Sequence, residues 1–395
     1  MIYDFDQPID RKGTASVKWD STPEIFGQSN LLPMWIADMD FPSPMPVIDA
    51  LKRRAEHGFF GYTSRPDSFY KAIEKWMKKK HGWQIKREWI CTSPGIVTGL
   101  SLLINTFTDP GDKVIVQPPV YYPFINLIKN NGREVVYNPL RYRTDLNEAT
   151  YEMDFDDLKQ KIVNTGAKML ILCSPHNPVG RVWTKEELKR LGELCLEHQV
   201  LVVSDEVHSE IIFPNHCHTP FPLVSKSFEL SSIVCVSPSK TFNLAGLHTS
   251  VIIIPNAQLR ERYLSILERF SLNKVNIFGT VALESAYKYG EDWLNQLLTY
   301  LYQNVLYLSD YIRERIPKIK VIKPQGTYLV WLDCRELGMD DQQLEQFMIG
   351  KANVALRHGY LFGPGGEGFV RINIACPRSI LHEGLKRIER AVKYS

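Results

Sequence analysis

Four polar clusters in this 395-residue chain each follow a short apolar run. Tyr121 and Tyr122 come after Val114–Val116, and Ser174-Pro175-His176-Asn177 comes after Met169–Leu172. Ser204-Asp205-Glu206-Val207-His208 follows Val200–Val203, and Ser237-Pro238-Ser239-Lys240 follows Ile233–Val236. Together they offer an aromatic ring, an amide, a carboxylate, an imidazole, hydroxyls and an amine. A phosphorylated pyridine aldehyde needs such a set. The amine forms an imine, and the carboxylate keeps the ring nitrogen protonated so that it withdraws electrons. The hydroxyls hold phosphate, and the aromatic ring stacks on the pyridine. Taken singly, each residue has a plainer reading: Lys240 as a surface lysine, Ser237 and Ser239 as turn or capping residues, Asp205 as a helix cap. His208 alone reads as a core histidine, and Tyr121 and Tyr122 as packing. Their joint occurrence after successive apolar runs is what those readings do not require.

The runs themselves, with Val251–Ile254 as a fifth, are short, β-branched and continuously apolar, as strands buried on both faces are. Between two of them, Thr184-Lys185-Glu186-Glu187 is a capping box that opens a helix ending near His198. This alternation predicts a mostly parallel α/β sheet. Ligands of such sheets lie outside the carboxyl ends of the strands, where the four clusters fall. Upstream, Phe69, Ile73, Trp76 and Met77 are spaced for a helix over 67–80, closed by Gly82. The segment to about Pro46 reads as an irregular arm. After Ser271 the texture changes to a long helical stretch over 280–315 with a break at Gly290. Strand-like runs at 327–333 and 370–374 then flank a helix near 341–351. A single core stops growing near ~250–300 residues. The chain is therefore divided into an arm contributing to a small domain (1–46), a large domain (47–285) and a smaller C-terminal α+β domain (286–395).

Lys+Arg exceed Asp+Glu by 47 − 44 = 3, so composition gives no reason to expect nucleic acid or an acidic membrane as partner. The lysines between 71 and 80 read as one solvated helix face. The seven cysteines form no C-x-x-C pair, which fits free thiols in a reducing compartment and gives no metal site. The acidic start, Met1 to Asp6, is no signal peptide, and no run is long enough to span a bilayer. A soluble, cytoplasmic protein is expected.

Ser237-Pro238-Ser239-Lys240-Thr241-Phe242-Asn243-Leu244-Ala245-Gly246 resembles the cofactor-lysine motif of fold-type-I pyridoxal 5′-phosphate (PLP) enzymes. Asp205 and Asn177-Pro178-Val179-Gly180 lie upstream in the order of that aspartate aminotransferase superfamily. Trp35-Ile36-Ala37-Asp38-Met39-Asp40-Phe41 is similar to the N-terminal signature of MalY/PatB-type cystathionine β-lyases, and 362–371 to their C-terminal signature.

The resemblance implies that Lys240 carries the cofactor, Asp205 pairs with its ring nitrogen, and Asn177 bonds its phenolic oxygen. It places Tyr121 on the ring, with His208 near by. The backbone of Gly95, Ile96 and Val97 would hold the phosphate together with Ser237 and Ser239. Arg371 would take the substrate α-carboxylate, beside Ala37 and Tyr121. Tyr62 would reach the phosphate of the neighbouring subunit in a homodimer. The chain departs from the aspartate aminotransferase pattern at His208, where that pattern has Tyr, and at His248, where it has Arg. The implied activity is α,β-elimination from L-cystathionine and related cysteine S-conjugates, giving a thiol such as homocysteine, pyruvate and ammonia. The alternatives are a PLP-dependent aminotransferase and a MalY-like regulator acting by protein–protein contact. The glycine-rich 363–368 precedes a strand rather than a helix, so it reads as a flexible turn shaping the pocket near Arg371 rather than a nucleotide loop.

Overall fold

A computed structural model describes residues 1–144 and 149–394. Seven strands form the central sheet: β1 (Ile90–Ser93), β2 (Lys113–Val116), β3 (Glu134–Tyr137), β4 (Met169–Cys173), β5 (Leu201–Asp205), β6 (Ser232–Val236) and β7 (Ser250–Ile253). Their spatial order is β1-β7-β6-β5-β4-β2-β3. From β6 through β3 every pairing is parallel, whereas β7 is antiparallel to both β6 and β1. The expected mostly parallel sheet is therefore present, with an antiparallel edge. Strands β4 and β6 are buried at every position, because helices cover both faces.

Four helices matter for the site. Helix α1 (Asp67–His81) buries the predicted Phe69, Ile73, Trp76 and Met77 and ends on Gly82 in the left-handed conformation. Helix α2 (Ile96–Phe107) begins directly after β1. Helix α3 (Lys185–Glu197) starts with both halves of the predicted capping box made at Thr184 and Glu187. The short α4 (Pro238–Thr241), capped by the Ser237 side chain, carries Lys240. Further on, α5 (Ile277–Tyr289) and α6 (Glu291–Arg315) meet at Gly290, the predicted break.

A second, four-stranded sheet consists of β8 (Lys320–Ile322), β9 (Leu329–Asp333), β10 (Arg357–His358) and β11 (Phe369–Asn373), in the order β8-β9-β11-β10 and wholly antiparallel. The N-terminal segment is less irregular than expected. Leu32–Pro33 pairs in parallel with Val354–Ala355, so the arm joins the C-terminal part of the chain. The helix expected near 341–351 is present as Asp341–Gln346 followed by one π-helical turn, Phe347–Lys351. No described helix is long and apolar enough to cross a membrane, and no described cluster of side chains could hold a metal ion.

Candidate active site

The carboxyl ends of β4, β5 and β6 and the start of α2 surround a cavity of about 350 Å³. Ten of the residues singled out from sequence line it: Ala37, Gly95, Ile96, Val97, Tyr121, Asn177, Asp205, His208, Ser239 and Lys240. Three are not on its wall. Ser237 is buried beneath it, where its Oγ lies 2.8 Å from Ser239 Oγ and 2.9 Å from the Thr249 carbonyl. Arg371 stands behind Asn177. Tyr62 is fully exposed at 106 % and borders a separate surface hollow with Phe60 and Lys274.

The wall supplies an anion cradle at one end. Gly95 precedes α2 at φ +89°, a backbone conformation that side chains with a Cβ rarely adopt. The first N–H groups of α2 have no intrahelical acceptor and carry the positive end of the helix dipole. Ser239 borders this end, and so does His248, whose Nδ1 stands 3.8 Å from where a Gly95 Cβ would lie.

At the opposite wall the charged groups are held against water. Asp205 accepts one bond, 3.2 Å from the Val207 N–H, and burial lifts its carboxyl to about 7. Burial first, then repulsion from Arg371, brings the Lys240 amine down to about 8, and its Nζ donates to the Ala37 carbonyl at 2.7 Å. His208 is pushed down to about 3 by burial and by the Lys240 and Arg371 charges, so its ring is neutral, and its Nδ1 has no partner. Arg371 Nη1 donates to Asn177 Oδ1 at 2.9 Å and Nη2 to the Trp35 carbonyl at 2.8 Å, while its buried Nε has no partner. Asn177 thus has its oxygen committed to Arg371 and its Nδ2 left as a donor.

A buried carboxylate without a cation, an amine of lowered basicity and an open helix start fit a phosphorylated pyridine aldehyde. The ring nitrogen would face Asp205, the phenolic oxygen Asn177, and the phosphate the 95–97 backbone with Ser239.

The N-terminal signature earns its place through its main chain. Asn243 donates to the Met39 and Phe41 carbonyls and accepts from the Met39 N–H. Asn373 donates to the Ile36 and Asp38 carbonyls, both at 2.7 Å. These two asparagines tie residues 36–41 to the lysine segment and to β11, which fixes the Ala37 carbonyl beside Lys240. Sequence reasoning did not single them out, although Asn243 lies in the lysine motif and Asn373 two residues beyond Arg371. Thr241, next to Lys240, donates to Glu210, which also accepts from Trp76 Nε1 at 2.9 Å, anchoring α4 to α1. The glycine-rich 363–368 is corrected in role: it does not line the cavity. Gly363 packs on Pro118 and Ile125, and it is the ring of Phe362 that lies 5.0 Å from the Arg371 guanidinium.

Comparison with known proteins agrees with this arrangement. The family model for aminotransferase class I and II matches residues 31–388. The cystathionine β-lyase PatB of Bacillus subtilis is 46% identical over 388 residues, covering 98% of this chain and 99% of that protein. A PLP-bound Clostridium difficile protein described as an aminotransferase superposes with a TM-score of 0.97 at 46% identity, covering 99% of this chain and 100% of that one. Cystalysin of Treponema denticola, whose structure contains PLP, gives 0.95 at 37% identity over the whole of both chains. With its lysine, aspartate and asparagine gathered at the strand ends of a mostly parallel sheet, the chain belongs to the aminotransferase class I and II family and, within it, to the MalY/PatB-type lyases.

Proposed function

We propose that this chain is a PLP-dependent carbon–sulfur β-lyase that cleaves L-cystathionine and related cysteine S-conjugates to a thiol, pyruvate and ammonia. The observation that carries the reading is the single cavity in which Lys240, Asp205, Asn177 and the start of α2 converge, with Arg371 behind it. The likeness to PatB favours elimination over amino transfer. His208 and His248, where the aspartate aminotransferase pattern has Tyr and Arg, point the same way.

The cofactor, when bound, draws electron density away from the substrate Cα. Asp205 would keep the ring nitrogen protonated, and Tyr121 would flank the ring. Arg371 orients the substrate by its α-carboxylate. The Lys240 amine, shifted to about 8, takes the Cα proton. A positioned general base contributes ~10²–10⁴-fold. The C–S bond then breaks with its electron pair on sulfur, and one water converts the remaining three-carbon unit to pyruvate and ammonia.

We further infer a homodimer in which Tyr62 completes the phosphate site of the neighbouring subunit. Its full exposure, beside exposed Phe59 and Phe60, supports a covered role in the assembly. The same reading keeps the arm at 1–46, the cofactor-binding domain at 47–285 and the small domain at 286–395. It is supported by one sheet lying within 90–253 and the other within 320–373. Seven free cysteines, six of them buried, support a reducing, cytoplasmic setting.

Complementation tests lysine and dimer together. Lys240→Ala is expected to be inactive, and Tyr62→Ala to bind cofactor weakly. Co-expressed, the two variants form hybrid dimers containing one intact site, and activity returns. Near-normal turnover by Lys240→Ala alone, or no recovery in verified hybrids, contradicts the reading.

A further inference from the structure

Resting on the lyase reading, the geometry points to Arg357 as the residue that reads a carboxylate on the far side of the scissile C–S bond. It thereby sets a preference for cysteine thioethers whose sulfur substituent carries a carboxylate. Arg357 lies directly opposite Arg371 in the β10–β11 pairing. Residues in such register share one face of the sheet, with Cβ atoms about 4.5–5.5 Å apart. The two arginines are held very differently. Arg371 is buried and committed to Asn177 and the Trp35 carbonyl. Arg357 is partly exposed and makes one hydrogen bond, from Nη2 to the Tyr122 hydroxyl at 2.6 Å.

Arg357 lacks the anion that several arginines near it in the fold possess. Other arginines around the two sheets have carboxylates: Arg11 has Asp38 and Asp40, Arg181 has Glu187, and Arg335 has Asp333. Arg357 has no ion pair among the described residues. Its guanidinium is instead held over two aromatic rings, 5.0 Å from Trp35 and 4.8 Å from Tyr122. Stacking fixes the planar fork without consuming its charge, which leaves it pre-organised for a carboxylate. Both residues adjoin the cavity without lining it. Tyr122 lies 5.6 Å from Tyr121 on the cavity wall, and the Trp35 main chain holds Arg371.

The charge balance leads to the same ligand. Arg357 and Arg371 repel, and the neighbouring charge adds to the burial that lowers the Arg371 pKa. A substrate with one carboxylate offsets one of these cations. A substrate whose sulfur substituent carries a second carboxylate places an anion against each arginine; L-cystathionine has that carboxylate, with an ammonium on the same carbon.

The test compares three substrates with the holoenzyme: L-cystathionine, S-(2-carboxyethyl)-L-cysteine and the neutral S-ethyl-L-cysteine. Arg357→Met keeps an unbranched stem against Trp35 and Tyr122 but removes the charge; Arg357→Lys restores charge without the fork. In Arg357→Met, KM for L-cystathionine and S-(2-carboxyethyl)-L-cysteine, the pair with an acid group on the sulfur substituent, is expected to rise about tenfold to a hundredfold, the size of one lost hydrogen bond between charged groups. Their kcat should hold, S-ethyl-L-cysteine should be unaffected, and Arg357→Lys should recover part of the loss. An equal KM increase for all three substrates would make Arg357 a wall residue or a second α-carboxylate ligand and overturn the inference. So would no change for the acidic pair. Wild-type enzyme that cleaves none of the three overturns the lyase reading itself, an outcome distinct from either result in the variants.

Discussion

Asp205 ends β5 with 4 % of its surface exposed and one backbone N–H as its partner, and burial raises its carboxyl to about 7. The folded chain therefore holds that proton more tightly than the unfolded chain does between the ordinary carboxylate range and about 7. Ionising Asp205 costs stability; the cost is absent in acid, grows as pH rises toward about 7 and is complete above it. At about 1.4 kcal/mol per pKa unit, the penalty is on the order of a few kcal/mol in the cofactor-free protein. Cofactor-free Asp205→Asn should then melt above cofactor-free wild type at pH 8, with the difference fading toward pH 4. With cofactor the order should reverse, because the amide cannot supply an anion to the ring nitrogen. An unchanged or lower melting temperature for the cofactor-free variant at pH 8 contradicts this account. At this scale the sequence was informative where a residue carries its chemistry in its type. Lys240, Asp205 and Asn177 are legible because amine, carboxylate and amide follow successive apolar runs. Asn243, Asn373 and Arg357 act through contacts between segments far apart in sequence, and no local pattern marks them.

Elements place these groups through a few tight junctions. Gly180 closes the Asn177-Pro178-Val179-Gly180 turn at φ +73°, and its carbonyl accepts from the Gln325 and Gly326 N–H groups. A Cβ there would stand 2.7 Å from Pro324 Cβ and 2.8 Å from its Cα, part of the backbone. Gly180→Ala combines a left-handed backbone penalty of roughly 1–2 kcal/mol with overpacking of about 1–3 kcal/mol. Denaturant titration should show a loss of at least about 2 kcal/mol, and Arg371 should lose its grip on Asn177, raising KM. Wild-type stability would mean that the 324–326 segment yields freely. The strands named from continuous apolar runs are all present. Two strands of the central sheet were missed: β1, with Thr92 and Ser93 in its four residues, and β3, which starts on an exposed Glu134. The antiparallel sense of β7 was also illegible, since a strand buried on both faces has the same composition in either direction.

Across the whole molecule, the site is assembled from distant stretches of chain. Residues 36–41 come from the arm, Lys240 and Asp205 from the central sheet, and Arg371 with Arg357 from the second sheet. The arm is stitched to the C-terminal part of the chain by Leu32–Pro33 pairing with Val354–Ala355, and to itself by Arg11 and Lys18 bonding Asp40. Such an assembly sets a lysine of lowered basicity near a buried arginine. The most direct measurement is product analysis with purified protein, PLP and L-cystathionine, with no oxo acid added. Elimination predicts sustained turnover yielding pyruvate, ammonia and homocysteine in equal amounts. A reaction that stops after about one equivalent per site, or continues only when an oxo acid is supplied, would show amino transfer and contradict the lyase assignment.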